Sequence, residues 1–141
     1  MKVIICGPRD LDDYELVCAA IQASGFEITE VVSGAAKGAD SLGEKWAGEH
    51  AIPFKQFPAR WNAMTQPGCI VKTNDWGKEY NANAGFYRNE EMAKYAEACI
   101  AVKADGDTPG TGHMIKTAEA AGLKVYVHKK KKEPGEYSYE F

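Results

Sequence analysis

The feature that most constrains this chain is an alternation of short apolar runs with stretches of helical spacing. "KVIICG" (2–7) is a β-branched run closed by glycine, and "EITEVVSG" (27–34), "IPFKQF" (52–57), "ACIAVKA" (98–104) and "KVYVH" (124–128) repeat the pattern. The first helical stretch, "YELVCAAIQASG", has Leu16, Ala20 and Ile21 on one face, Asp12 or Asp13 as cap and Gly25 as stop. The others are "ADSLGEKWAGEH" (39–50), capped by Asp40 or Ser41, "AGFYRNEEMAKYA" (84–96) and "TGHMIKTAEAAG" (111–122). Strands separated by helices imply crossovers, hence parallel neighbours with helices covering both faces of the sheet. The expected fold is α/β: one three-layer domain around a parallel sheet of about five strands in the order 3-2-1-4-5. The 141 residues, 45% hydrophobic and 26% charged, are enough for one core and call for no second.

In that order the chain reverses direction across the sheet between strands 1 and 4, and open α/β sheets bind ligands beside such a point, at the carboxyl ends of the strands. Four loops reach that edge: "CGPRD", "SGAAKGAD", "FPARW" and "ADGDTPGTGH". Every one carries glycine or proline, and three carry arginine or lysine. Glycine lets a backbone approach a ligand closely, and the start of a helix favours an anion. Gly34, Gly38 and the helix start after them therefore read as a cradle for phosphate or ribose-phosphate. A plainer reading makes these glycines tight turns only, but convergence of four loops on one edge favours the cradle. The candidates here are Gly7, Pro8, Arg9, Ser33, Gly34, Ala35, Lys37, Gly38 and Asp40.

Familiar nucleotide signatures do not fit. "GAAKGAD" lacks the G-K-[ST] ending of a P-loop, and the G-x-G at Gly110 lacks the third glycine of a dinucleotide fingerprint, which disfavours ATP hydrolysis and hydride transfer. His50, His113 and His128 have no metal-ligand spacing, and "DGD" at 105–107 is not closed by the glutamate of a calcium loop. Neither a metal nor a cofactor is expected. A net charge of -3 and a pI near 5.6 make nucleic acid an unfavoured partner, since such surfaces carry a basic excess. No apolar stretch approaches membrane-spanning length, so no membrane partner is expected. Cys6, Cys18, Cys69 and Cys99 have no C-x-x-C spacing, and the apolar neighbours of Cys6, Cys18 and Cys99 suit buried free thiols in a cytoplasmic protein.

The stretch 84–96 holds the most informative local pattern. At about 100° per residue, Phe86, Asn89, Met92, Ala93 and Ala96 share one face, which sets an asparagine inside an apolar stripe with Arg88 on its flank. Arg88 suits bidentate grip of a phosphate, with the Asn89 amide holding a ligand or a neighbouring loop. The alternative is structural: Arg88 paired with Glu91 or a loop aspartate, and Asn89 tying down the preceding connection.

"GPRD" after the first strand, "SGAAKGADSLGEKWA", the "AGFYRNEEM" helix and "GTGHMI" together resemble the YspA-like branch of the SLOG superfamily, related to the Smf/DprA DNA-processing proteins and the Lonely Guy phosphoribohydrolases. The resemblance covers residues 1–128. It implies a Rossmann-like fold that binds nucleotides or nucleotide-derived small molecules, ADP-ribose-type signals among them. In some branches it implies cleavage of the N-glycosidic bond of nucleoside monophosphates. On this resemblance Arg88 and Met92 match the R-K-x-x-M helix of the phosphoribohydrolases, with Asn89 replacing lysine, and Gly110 and Thr111 match the phosphate-cupping glycine-threonine pair of P-G-G-x-G-T. The chain departs from that pattern just after Thr111. Gly112, His113 and Met114 stand where the enzymes have glutamates, and the next acid is Glu119. Glycoside cleavage needs an acid-base group, so binding is the favoured reading.

Residues 59–83 carry no recognisable element, and so long a loop is commonly a lid or binding segment. Either Trp61 or Trp76 fills the place of the tryptophan that precedes the "AG..RN" helix in the family; Trp61 is a candidate to stack on a base. Residues 129–141 form a charged tail whose lysine run reads as solvated. The expectation is a nucleotide-ligand-binding domain over 1–128, acting through the loop residues above together with Trp61, Arg88, Asn89, Gly110 and Thr111. One alternative is a phosphoribohydrolase using Arg88 with His113 or Asp40; another is single-strand nucleic-acid binding. The oligomeric state, a homodimer included, is left open.

Overall fold

The computed structural model describes residues 1–59, 71–73, 79–81, 84–103 and 109–129. Its elements run β1 (Lys2–Cys6), α1 (Tyr14–Ser24), β2 (Glu30–Ser33), α2 (Ala39–Glu49), β3 (Phe54–Gln56), β4 (Val71–Thr73), β5 (Glu79–Asn81), α3 (Ala84–Tyr95), β6 (Ala98–Lys103), α4 (Pro109–Ala120) and β7 (Lys124–Lys129). The main sheet has the order β3-β2-β1-β6-β7, and all its pairs are parallel. The numbering departs from 3-2-1-4-5 because β4 and β5 intervene in the chain and pair only with each other, as an antiparallel ribbon. The fourth and fifth strands read from the sequence are thus β6 and β7, and the α/β class holds.

Period-2 alternation along β1 divides the core. Val3 and Ile5 point to one face, with Val17, Ala20 and Ile21 of α1 and Ala47 of α2. Ile4 and Cys6 point to the other, with Met92, Ala93 and Ala96 from α3 and its end and Met114 and Ala118 of α4. The chain moves outward from β1 to β3 and then from β6 to β7 in the opposite direction, and crossovers of one hand then lie on opposite faces. Among the described residues no helix is long and apolar enough to cross a membrane.

Several local expectations are refined. Asp13, not Asp12, caps α1, accepting from the Leu16 N–H at 3.1 Å, and Val17 replaces Leu16 at the centre of its buried face. The cap of α2 is Gly38, not Asp40 or Ser41, at φ 77° and ψ -127°, a conformation open to glycine. Ser41 instead donates to the Ala36 carbonyl. The last helix begins at Pro109, two residues earlier than expected, which takes Gly110 and Thr111 into its first turn; proline is well suited to that position. β2 starts at Glu30 rather than 27, and the segment taken as element-free contains β4 and β5. Trp61, Trp76, Cys69 and the tail beyond Lys129 lie outside the described residues.

Candidate ligand-binding cleft

A cleft of about 400 Å³ opens at the carboxyl edge of the sheet, beside β1 where the strand order turns. Its walls are the loop after β1 (Gly7, Arg9, Asp10), Ala36 and Asp40, the start of α3 (Gly85, Phe86, Arg88, Asn89) and the start of α4 (Gly110, Thr111). Cys6, Met92 and Met114 also line it. The volume falls within the range of small-molecule sites, about 300–1,000 Å³.

The loop after β2 is packed by the protein's own atoms. A side chain at Gly38 would meet the Pro8 carbonyl oxygen at 2.2 Å, and one at Gly34 would meet Arg88 Nη1 at 2.6 Å and Asp40 Oδ2 at 2.7 Å. Three of its backbone donors are engaged internally: Ala35 N–H with Ser33 Oγ, Ala36 N–H with Asp40 Oδ2 and Ala39 N–H with the Pro8 carbonyl. Ser33 is buried and donates to Glu44 Oε2. Neither Ser33, Gly34, Ala35, Lys37 and Gly38 nor Pro8 of the preceding loop lines the cleft. The space a side chain would take at Gly34 and Gly38 is thus held by chain atoms, while Ala36 of the same loop and Asp40 just after it line the cleft and the Gly34 carbonyl accepts from Arg88.

Arg88 projects from α3 across the cleft. Its Nη1 donates to the Gly34 carbonyl and its Nε to Asn89 Oδ1 at 3.0 Å. Burial lowers its pKa from the ordinary value, opposed by Asp40; a guanidinium stays charged nonetheless. Asp40 is 9% exposed, and burial pushes its carboxyl up to about 6, against the Ala36 N–H and Arg88, which favour the ionised form. A carboxyl in that range titrates close to neutral pH.

Asn89 is buried within the apolar stripe, as its spacing predicts. Arginine only donates, so the contact with Arg88 fixes the amide oxygen toward the guanidinium and turns the Asn89 NH₂ to His113 Nδ1 at 3.1 Å. His113 must accept there and carries its ring proton on Nε2. Burial lowers its pKa, consistent with a neutral ring. It stacks on Phe86, ring centroids 4.2 Å apart and planes 29° from parallel, and does not itself line the cleft. Phe86, expected to face inward with Asn89, is 44% exposed: the inward face of α3's first turn looks into the cleft, not the core.

The start of α4 contrasts with the β2 loop. Among the described residues no atom outside the helix's own backbone and the flanking residues lies within 4 Å of where a side chain at Gly110 or Gly112 would stand, while Thr111 is buried against the cleft wall. The first amides of a helix lack intrahelical acceptors, and the dipole there favours an anion. Of the sequence candidates, Gly7, Arg9, Asp40, Arg88, Asn89, Gly110 and Thr111 meet at one cleft. Among the described residues no group of three or more His, Cys, Asp or Glu is arranged to hold a metal ion.

Residues 1–64 match the model of YAcAr, the YspA, cpYpsA-related SLOG family. That stretch includes "GPRD" and "SGAAKGADSLGEKWA", two of the motifs on which the resemblance was read. The gene 61 protein of Mycobacterium phage D29 is 29% identical over 133 residues, spanning 88% of this chain and 93% of that protein. The X-ray structure of DNA processing protein A (DprA) from Streptococcus pneumoniae superimposes with a TM-score of 0.64 at 16% identity, covering 97% of this chain and 53% of that one. This chain thus spans about half of DprA, and at that identity the likeness concerns the fold.

The cleft also gathers residues outside the candidate set: Cys6, Asp10, Ala36, Gly85, Phe86, Met92 and Met114. For Phe86 the available signal was its place in the first turn of α3, two residues before Arg88. Cys6 and Met114 carry only the signature of core residues, and Met92 stands at the methionine of the helix motif that Arg88 opens.

Proposed function

We propose that the protein binds a phosphorylated, nucleotide-derived small molecule in this cleft, a nucleoside monophosphate or an ADP-ribose-like compound. The observation that carries the reading is the convergence of Arg88, anchored on Gly34 and Asn89, with the open first turn of α4 in one 400 Å³ cavity. A guanidinium and a helix start are complementary to the same anion. Arg9 adds a second cation to the lining, and the SLOG match over residues 1–64 supports a nucleotide-related ligand. Thermal melting with AMP, ADP-ribose and adenosine tests it. A phosphorylated ligand at a hundred times its Kd adds about 2.7 kcal/mol, roughly 5 to 10 °C in Tm. Adenosine should add far less, and Gly110→Asp should erase the shift. Equal shifts with and without phosphate would remove the reading.

One observation favours a second reading, N-glycosidic hydrolysis of a nucleoside monophosphate. Asp40 lines the cleft and titrates near 6, the range suited to a general acid or base at neutral pH. His113 is less well placed for that role, with Nδ1 committed to Asn89 and its ring under Phe86. Release of free adenine from AMP that disappears in Asp40→Asn, while AMP binding persists, would move this reading to first place. Single-strand nucleic-acid binding ranks third, because it draws on a fold likeness and on a chain of net charge -3.

A further inference from the structure

Phe86 is a large apolar side chain left 44% exposed, and it lines a concave wall of the cleft rather than a convex surface. A scattered exposed ring on a convex surface needs no explanation; this one is braced. The imidazole of His113 lies against it at 4.2 Å. His113 is held in turn by Asn89 Nδ2, and the Thr117 hydroxyl donates to its carbonyl at 2.8 Å. Asn89 is itself locked by Arg88 Nε. The chain Arg88, Asn89, His113, Phe86 ties the orientation of an aromatic ring to that of the anion-binding guanidinium.

The size of the cleft points the same way. At about 30 Å³ per water in the liquid, 400 Å³ exceeds by several-fold what a lone phosphate needs. The remaining wall is apolar as well as polar, with Met92 and Met114 near the floor. A ring fixed from behind and open toward a cavity is a surface for a second flat ring, because aromatic systems gain most in offset stacks with prepaid orientation.

We infer that Phe86 is the platform on which the base of the bound nucleotide stacks, with His113 as the positioning residue beneath it, so that the site selects base-bearing phosphates over sugar phosphates. The inference rests on the proposed phosphate site and adds the class of group at the other end of the ligand. It needs no chemical step and therefore holds for a binder and for a hydrolase alike.

Titration calorimetry with AMP, ribose 5-phosphate and adenosine separates the two ideas. Wild type should bind AMP at least tenfold more tightly than ribose 5-phosphate. Phe86→Ala should weaken AMP roughly tenfold, the usual yield of one base–aromatic stack, and leave ribose 5-phosphate unchanged. Phe86→Tyr should restore AMP binding, and in Phe86→Trp the fluorescence difference from wild type should change on adding AMP but not ribose 5-phosphate. His113→Ala should weaken AMP by a smaller factor than Phe86→Ala, again without effect on ribose 5-phosphate. Truncation of a half-exposed ring leaves the core intact, which the melting curve of each variant checks. If wild type binds ribose 5-phosphate as tightly as AMP, or if Phe86→Ala loses both equally, the platform is overturned while the phosphate site stands. If wild type binds no phosphorylated compound, the phosphate site itself fails.

Discussion

The glycine-rich turn after β2 and the glycine-rich start of α4 look alike as sequence and differ as structure. Around Gly34 and Gly38 the space that a side chain would take is occupied by Pro8, Arg9, Arg88 and Asp40, and around Gly110 and Gly112 no other described residue fills it. The same residue type therefore serves opposite ends. In one loop the absence of a Cβ lets the protein close on itself, with the Asp40 carboxyl and the Arg88 guanidinium both packed beside Gly34. In the other it leaves a helix start open to whatever occupies the cleft. A glycine in a sequence announces room but not who fills it, and that is decided by the atoms that the topology brings to the same place.

Substitution at Gly38 should produce the largest effect. Gly38→Ala forces a Cβ to within 2.2 Å of the Pro8 carbonyl at φ 77°, a clash compounded by backbone strain, with an expected loss of about 3 kcal/mol or more and a fall in Tm of roughly 10 °C or more. A variant that melts like wild type would show that the two loops are not packed as described.

Asp40 tests the electrostatic side of the closed loop. Its folded pKa, about 6, lies above the ordinary 3.8, so between those values the folded state binds more protons than the unfolded one. The stabilising contribution of the neutral carboxyl is complete below pH 4 and lost as pH rises through 6. The difference amounts to about 3 kcal/mol at about 1.36 kcal/mol per unit. Asp40→Asn, which keeps an acceptor for the Ala36 N–H, should raise stability at pH 7 by up to that amount, so the gap between the two denaturant midpoints should widen from pH 4 to pH 7. Equal pH profiles for the two proteins would mean that the carboxyl is not buried.

Removing Arg88 should cost less. Arg88→Ala strips a donor from the Gly34 carbonyl and from Asn89 Oδ1 and removes the stronger of two cations acting on Asp40, the other being Arg9, an expected loss of about 2 kcal/mol. The same variant should abolish the melting shift given by AMP. Smallest of all, Gly110→Ala adds a methyl to open space in a helix and should leave Tm unchanged or raise it by the equivalent of up to about 1 kcal/mol. A substantial destabilisation there would erase the contrast between the two glycine turns.

The strands and helices of the main domain were legible because each carries an apolar period of its own, and the order of the sheet was read as the most economical one that parallel crossovers allow. β4 and β5 were not. "VKT" and "EYN" are three residues each, without an apolar period, and they exist through pairing with each other. The start of α4 was read late because Gly110, Thr111 and Gly112 are weak helix formers; Thr111 and Met114, buried on the same side, hold that turn in the helix. Arg88 and Asn89 were legible as functional candidates since an asparagine inside an apolar stripe, with an arginine on its flank, demands partners. Ser33 misled: it stands at the end of a strand, where period 2 turned its hydroxyl inward to Glu44. Phe86 was missed because helical spacing specifies a face, and only tertiary structure says whether that face meets a core or a cavity.

The neighbouring thiols at the base of the cleft bear on how the site could be attacked by chemistry. Cys6 lines the cavity with its sulfur 3.8 Å from that of Cys99, and the hydrogen bond they share, together with burial, raises the Cys6 pKa well above the usual thiol value. The nucleophile in alkylation is the thiolate, and at neutral pH almost none is present. An electrophilic inhibitor seated in this pocket would find a sulfur within reach but no anion to capture it, so durable occupancy has to come from non-covalent fit.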